Sequence, residues 1–273
     1  MLKEPDSNAE FADEVIRIAL LQCEPVVSKL AALQQLELTA QAAQQQGVTL
    51  LITPEMYLTG YNIGHQVCRE QAEDLDGPSL LQIRAMCRQY QMAMVVGFPQ
   101  QCGGAIYNSA VFIDESGEIL MCYQKTHLYG PVDKAQFRAG ESLCPSFEWC
   151  GWQFALAICY DIEFPEVARH AAINNTDVIL VPTANMEPFI GVPQRIVPAR
   201  AEENTLYIAY ANYVGKEKTF SYCGLSCICL PMGKYTAACA QQPTVLVADL
   251  FQSVLQQSRQ NITYLADRRS DLY

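Results

Sequence analysis

The sequence predicts an α/β fold built on buried strands. Three observations carry this reading: short apolar runs recur along the chain, helix-period segments separate them, and no linker interrupts the alternation. Runs at 154–158 and 178–181 are apolar at every position, the pattern of strands covered on both faces. In chain order, 17–23 reads as a strand, and 29–46 as a helix rich in Ala, Leu and Gln that stops at Gly47. A short apolar run at 48–52 follows, then a helix over 79–90 and a strand over 92–96. Residues 107–123 form two strands hinged on Asp114-Glu115-Ser116-Gly117, a hairpin signal. A helix over 166–174 separates the two fully apolar runs, and another spans 193–204. Strand-like segments at 206–213, 225–230 and 244–250 precede a last helix over 251–260. With no Gly/Ser/Pro-rich tract to divide it, the chain is expected to form a single domain over 1–273, with 1–14 a polar tail. Periodicity does not give strand order, so an open sheet and a layered sandwich both remain open at this level.

Composition narrows the function. The formal charge is −11 and no Lys/Arg-rich run offsets it, which disfavours a nucleic-acid partner. The N-terminus has no apolar stretch after a basic segment, and no later apolar run is long enough to cross a bilayer, so no membrane partner and a cytoplasmic location are expected. Half the residues are hydrophobic and only 17% are charged, against about 25% in ordinary soluble domains. Burial of surface between subunits would account for that shortage, so a homodimer or higher homo-oligomer is expected. Twelve cysteines, many inside apolar runs, read as buried thiols rather than a disulfide scaffold. Cys223, Cys227 and Cys229 lack paired CxxC spacing, and His65, His127 and His170 are the only imidazoles, so no metal is expected.

Three reactive residues follow predicted strand ends. Leu51-Ile52-Thr53-Pro54-Glu55 runs a buried strand into a proline and then a carboxylate, whose charged form an apolar neighbourhood disfavours. A carboxylate so raised suits a general base. In Tyr123-Gln124-Lys125-Thr126-His127-Leu128 the second hairpin strand ends on an ammonium suited to a developing oxyanion. Leu156-Ala157-Ile158-Cys159-Tyr160-Asp161 brings a thiol to a strand-to-helix turn, where backbone N–H groups favour a thiolate. Taken singly, each has an ordinary structural reading: an exposed loop glutamate, a solvated lysine, one more buried thiol. His127 is equally well read as a structural imidazole. Together they supply what amide hydrolysis requires: a nucleophile, a proton carrier and positive charge beside a tetrahedral oxygen.

The segments PEMYLTGY at 54–61, YQKTHLYG at 123–130, CYDIEFPE at 159–166 and VPTAN at 181–185 resemble, in order, those of the nitrilase-superfamily carbon–nitrogen hydrolases, most of all the aliphatic amidase branch. PARAEENTLYIAYAN at 198–212 and CGLSCICLPMG at 223–233 extend the likeness. The resemblance implies a four-layer α-β-β-α sandwich and hydrolysis of a small amide through a cysteine thioester, releasing ammonia and a carboxylic acid without metal or organic cofactor. Under it Cys159 is the nucleophile and Glu55 the base. Lys125 and the Tyr160 backbone N–H stabilise the oxyanion, and Tyr61, Thr183, Ala184 and Asn185 line the acyl pocket. A nitrilase and an N-carbamoyl-amine hydrolase share this catalytic set. A catalytically idle sandwich scaffold and a redox or zinc-binding protein are the readings outside that chemistry. Two positions depart from the family pattern. Asp133, in Gly130-Pro131-Val132-Asp133-Lys134, stands where a second glutamate is usual, and Leu230 replaces an aspartate before Pro231-Met232-Gly233.

Overall fold

The computed structural model describes residues 14–238 and 240–272; the polar tail up to residue 13 and Cys239 lie outside the described residues. The first half of the chain forms β1 (Val15–Gln22), α1 (Lys29–Gln44), β2 (Leu50–Ile52), α2 (His65–Gln71), α3 (Pro78–Tyr90), β3 (Ala93–Cys102), β4 (Ala105–Ile113), β5 (Ile119–Gln124) and α4 (Gly130–Gln136). Next come β6 (Ser146–Trp149), β7 (Trp152–Leu156), α5 (Pro165–Ile173), β8 (Val178–Pro182), α6 (Val197–Asn204) and β9 (Tyr207–Ala211). The chain closes with β10 (Val214–Glu217), β11 (Phe220–Cys223), β12 (Cys227–Cys229), β13 (Tyr235–Ala237), β14 (Thr244–Phe251) and α7 (Gln252–Asn261).

Two six-stranded sheets result, in the orders β14-β1-β2-β3-β4-β5 and β13-β12-β9-β8-β7-β6. Each has a parallel centre, β1-β2-β3 in one and β7-β8-β9 in the other, flanked by antiparallel neighbours. The apolar runs are continuous because both faces of these centres are covered. In β1, Ala19 and Leu21 face α1 and α3, packing with Leu36, Ala40 and Ile83, while Ile18 and Leu20 face the other sheet. There they join Ile52, Val95 and Phe112 against Phe154, Leu156, Leu180 and Tyr207. The opposite faces of β7 to β9 carry Ala155, Ile179 and Ile208 under Val167, Ala171 and Ala201 of α5 and α6. The layers are therefore helix, sheet, sheet, helix. Among the described residues no helix is long and apolar enough to cross a membrane.

Local chemistry sets the boundaries. Ser28 Oγ caps α1 by accepting from the Ala31 amide at 3.2 Å. The β4–β5 hairpin closes on Asp114, whose carboxylate accepts from the Ser116 and Glu118 amides. β3 runs well past the expected 92–96, because its ladder with β4 continues through Gly97 and Pro99 to Cys102. The helix expected over 193–204 is split: Val192–Ile196 is π-helical and α6 begins at Val197, in a stretch where Pro193 and Pro198 have no amide hydrogen to donate.

Candidate active site

Glu55, Cys159 and the 183–186 segment all follow the carboxyl ends of central parallel strands, and Lys125 follows β5. Ligand sites of α/β sheets gather at such ends. The Glu55 amide donates to the Thr183 carbonyl at 3.2 Å, which joins the end of β2 to the end of β8 in the other sheet. Gly97 lets this segment lie flat on β3. A Cβ at Gly97 would stand 2.5 Å from the Met56 nitrogen and 2.7 Å from the Pro54 oxygen. Lys125 is pinned through its main chain, its amide donating to Asn108 at 2.8 Å and its carbonyl accepting from Gly140 at 2.9 Å.

The Lys125 ammonium lies between two carboxylates, 2.7 Å from Glu55 Oε1 and 2.7 Å from Asp133 Oδ2. All three side chains are fully buried. Asn108 Nδ2 donates to the same Glu55 oxygen at 2.6 Å, leaving Glu55 Oε2 without a hydrogen-bond partner among the described residues. That oxygen is free to take a proton. Burial pushes the Glu55 carboxyl above its ordinary value; Lys125 opposes the shift and the Asp133 charge adds to it. Burial works against the Lys125 charge, but the Asp133 and Glu55 carboxylates outweigh it and hold the ammonium firmly protonated. The nitrogen also lies 5.7 Å from the centre of the Tyr61 ring.

Cys159 opens a 3-10 turn, Cys159–Glu163, with a left-handed φ of 48°. Such a conformation costs a non-glycine residue about 1–3 kcal/mol and is retained where the surroundings impose it, often at functional sites. Burial and the Glu55 charge push the thiol well above its ordinary value, while Lys125 and the backbone at Ala184 pull it down. An uncharged thiol is thus favoured over a thiolate at Cys159.

Asp161 fastens the Cys159 turn to the Lys125 segment. Its Oδ2 accepts from the Tyr123 hydroxyl at 2.8 Å and the Ile158 amide at 3.0 Å. Its Oδ1 accepts from the Thr126 hydroxyl at 3.0 Å and the His127 amide at 2.9 Å, with His127 Nδ1 at 2.8 Å. His127 stacks on Phe164 and belongs to this scaffold.

A cavity of about 200 Å³ opens above the sulfur. Tyr61, Tyr129, Tyr160 and Asn185 form much of its wall, and Glu163, Met186 and Phe189 complete it. Cavities of about 150 Å³ hold benzene, so this one suits a substrate of comparable size. Of the residues singled out from the sequence, Tyr61, Cys159, Tyr160 and Asn185 line it, while Glu55, Lys125 and Asp133 form a buried cluster outside the wall, from which the Glu55 and Lys125 charges act on the Cys159 thiol. Thr183, expected in the wall, is not there: its hydroxyl turns back to the Val181 carbonyl at 3.0 Å, and its main chain holds Glu55 instead. Ala184 is also outside the wall. Asn185 spends its side-chain amide on the Phe189 carbonyl at 3.0 Å and Cys223 Sγ at 3.3 Å. Sequence reasoning gave no role to Asn108, Asp161, Glu163, Tyr129 or Phe189. A polar residue inside the apolar run of β4 was the available signal for Asn108. It also missed Glu217, whose carboxylate accepts from the Tyr61 amide at 3.0 Å and the Asn62 amide at 2.6 Å.

Comparison with known proteins places this geometry. The family model described as carbon-nitrogen hydrolase matches residues 17–260. A Pseudomonas protegens protein called "Hydrolase in pqqF 5'region" is 42% identical over 95% of this chain and 91% of its own length. An (R)-stereoselective amidase from a Pseudomonas species is 34% identical, covering 81% of this chain and 79% of that protein. Among solved structures, the amidase of Nesterenkonia sp. AN1 superposes with a TM-score of 0.84 at 35% identity, covering 94% of this chain and 98% of that one. One mutant of that amidase carries the acetamide moiety of fluoroacetamide covalently on its active-site cysteine, and a cysteine-to-alanine mutant binds butyramide.

Proposed function

The chain belongs to the carbon–nitrogen hydrolase family, within the nitrilase superfamily, and from that premise we propose that it hydrolyses a small amide through a thioester on Cys159. The observation that carries the reading is the buried Glu55–Lys125–Asp133 cluster beside a cysteine at the floor of a small cavity. In this mechanism Glu55 Oε2 takes the Cys159 proton as the sulfur attacks the amide carbon. The developing oxyanion is met by the Lys125 ammonium, whose two other N–H bonds are held by Glu55 and Asp133, and by the Tyr160 backbone N–H. Glu55 returns its proton to the leaving nitrogen, and ammonia departs. It then draws a proton from water, which attacks the thioester carbon; the carboxylic acid leaves and the proton returns to sulfur.

The electrostatics support these roles. A carboxyl raised by burial is a better proton acceptor than an exposed one, and a thiol whose charged form is disfavoured needs such an acceptor. The butyramide and fluoroacetamide complexes of the Nesterenkonia amidase support a small acyl group. The enzyme is further proposed to work as a homo-oligomer. The test is a panel of small amides, nitriles and N-carbamoyl compounds scored for ammonia and acid. Amides are expected to release both in equal amounts, and turnover confined to nitriles or carbamoyl compounds would overturn the reading.

A further inference from the structure

One charge in the cavity wall is not used by the proposed reaction. Glu163 closes the 3-10 turn that Cys159 opens, and it lines the cavity with Tyr129, Tyr160 and Phe189. Its main-chain carbonyl accepts from Arg200 Nη2 at 2.9 Å, but among the described residues its carboxylate makes no hydrogen bond or ion pair. Of the cations that act on it, Lys125 is held by Glu55 and Asp133, and Arg200 Nη1 pairs with Glu203 at 3.0 Å, while Arg200 Nε has no hydrogen-bond partner among the described residues. Burial pushes the Glu163 carboxyl above its ordinary value, partly offset by Lys125 and Arg200. The carboxylate is half-buried and lines the cavity, where a ligand can reach it.

Its surroundings point to one class of partner. The Tyr129 ring meets Tyr160 edge-on at 5.3 Å and Phe189 edge-on at 6.1 Å, so three neighbouring aromatic rings share the cavity wall with Glu163. Aromatic faces attract ammonium ions and a carboxylate pairs with them. Among the described residues no Arg, Lys or His side chain lines the cavity, so the wall offers a second anion on a substrate no cationic partner, and Glu163 would repel it.

We infer that the substrate is an amide whose acyl chain ends in a protonated amine, held by Glu163 beside Tyr129 and Tyr160. This rests on the proposal that Cys159 is the site of acylation. A 3-10 turn rises about 2 Å per residue, so Glu163 starts roughly 8 Å along the turn from Cys159, a span suited to a few methylenes between carbonyl and amine. The cavity volume allows no more than such a short chain.

The test compares γ-aminobutyramide with valeramide, in which a methyl replaces the ammonium, and with succinamate, in which a carboxylate replaces the terminal aminomethyl group. The wild-type enzyme is expected to show kcat/KM at least about tenfold higher for γ-aminobutyramide than for valeramide, the scale of one charge-assisted hydrogen bond. Succinamate should be the poorest of the three. In Glu163→Gln the ratio of the first two should collapse towards one, and Glu163→Arg should favour succinamate over γ-aminobutyramide. Equal or lower kcat/KM for γ-aminobutyramide, with valeramide turned over, would overturn this inference while leaving the amidase reading intact. Hydrolysis of none of the three would overturn both. The wild-type comparison stands even if a variant fails to fold.

Discussion

Asp133 accepts a hydrogen bond from the Lys125 ammonium at 2.7 Å and, through the same oxygen, one from the Tyr129 amide at 2.8 Å. The first turn of α4 carries the side chain, and its carboxylate is fully buried against the ammonium.

The first prediction follows from that contact. Asp133→Asn removes the charge and should lower kcat/KM by about tenfold to a hundredfold, the scale of one charge-assisted hydrogen bond. Asp133→Glu should also lower it, because the Asp133 carboxylate already reaches the ammonium at 2.7 Å in a fully buried site, where an added methylene must crowd Lys125. Steady-state kinetics on a cleaved amide checks both. Wild-type values for the two variants would remove Asp133 from the active-site account.

The second prediction concerns charge and proton transfer. Lys125→Met should cost about a hundredfold or more in kcat, the usual effect of losing one oxyanion donor, and Glu55→Gln should be similarly severe. The base must be ionised to accept the Cys159 proton. Because burial raises the Glu55 carboxyl above its ordinary 4.5, activity should fall as pH drops through that raised value. The acid limb of the kcat/KM profile should thus have its midpoint above pH 4.5, and a profile flat down to that pH would contradict the assignment.

A third prediction tests the scaffold. Gly97→Ala places a Cβ against the Met56 nitrogen and the Pro54 oxygen, which must move the segment that carries Glu55. Overpacking of this kind costs about 1–3 kcal/mol of stability, and a misplacement near 1 Å costs about a hundredfold in rate. The variant should melt earlier and lose activity out of proportion to its unfolded fraction. Unchanged kinetics would show that Gly97 does not set the Glu55 position.

How far this site was legible in the sequence depends on the direction of the argument. Strands covered on both faces read as continuous apolar runs, so 154–158 and 178–181 marked β7 and β8, and the reactive residues stood out as polar groups just beyond strand ends. Strand order did not show, because pairing across the sheet leaves no trace in local periodicity. The short α2 and α4 offer too few turns for a periodic signal. Thr183 lay in the matching segment, but proximity in sequence does not say which way a side chain turns, and this one faces Val181. Asp161 was quoted within a motif without a role, since its partners Tyr123, Thr126 and His127 lie more than 30 residues away and meet it only in the fold.

The fourth prediction is assembly. Only 17% of residues are charged, and Ile173, Phe189 and Ile190 stand exposed at 50%, 43% and 41%. Light scattering coupled to size-exclusion chromatography should give at least twice the 30.4 kDa chain mass. A monomer across a wide concentration range would contradict the proposal.

The most direct test of the central claim is mass spectrometry of the enzyme quenched during turnover of a small amide. The account predicts an acyl adduct on the peptide carrying Cys159, absent from Cys159→Ala, which should fold normally and turn over nothing. Changing the buried Cys23, which is not part of the cavity wall, should leave the adduct in place. Turnover by Cys159→Ala at an undiminished rate, or an adduct borne by another residue, would contradict the covalent mechanism.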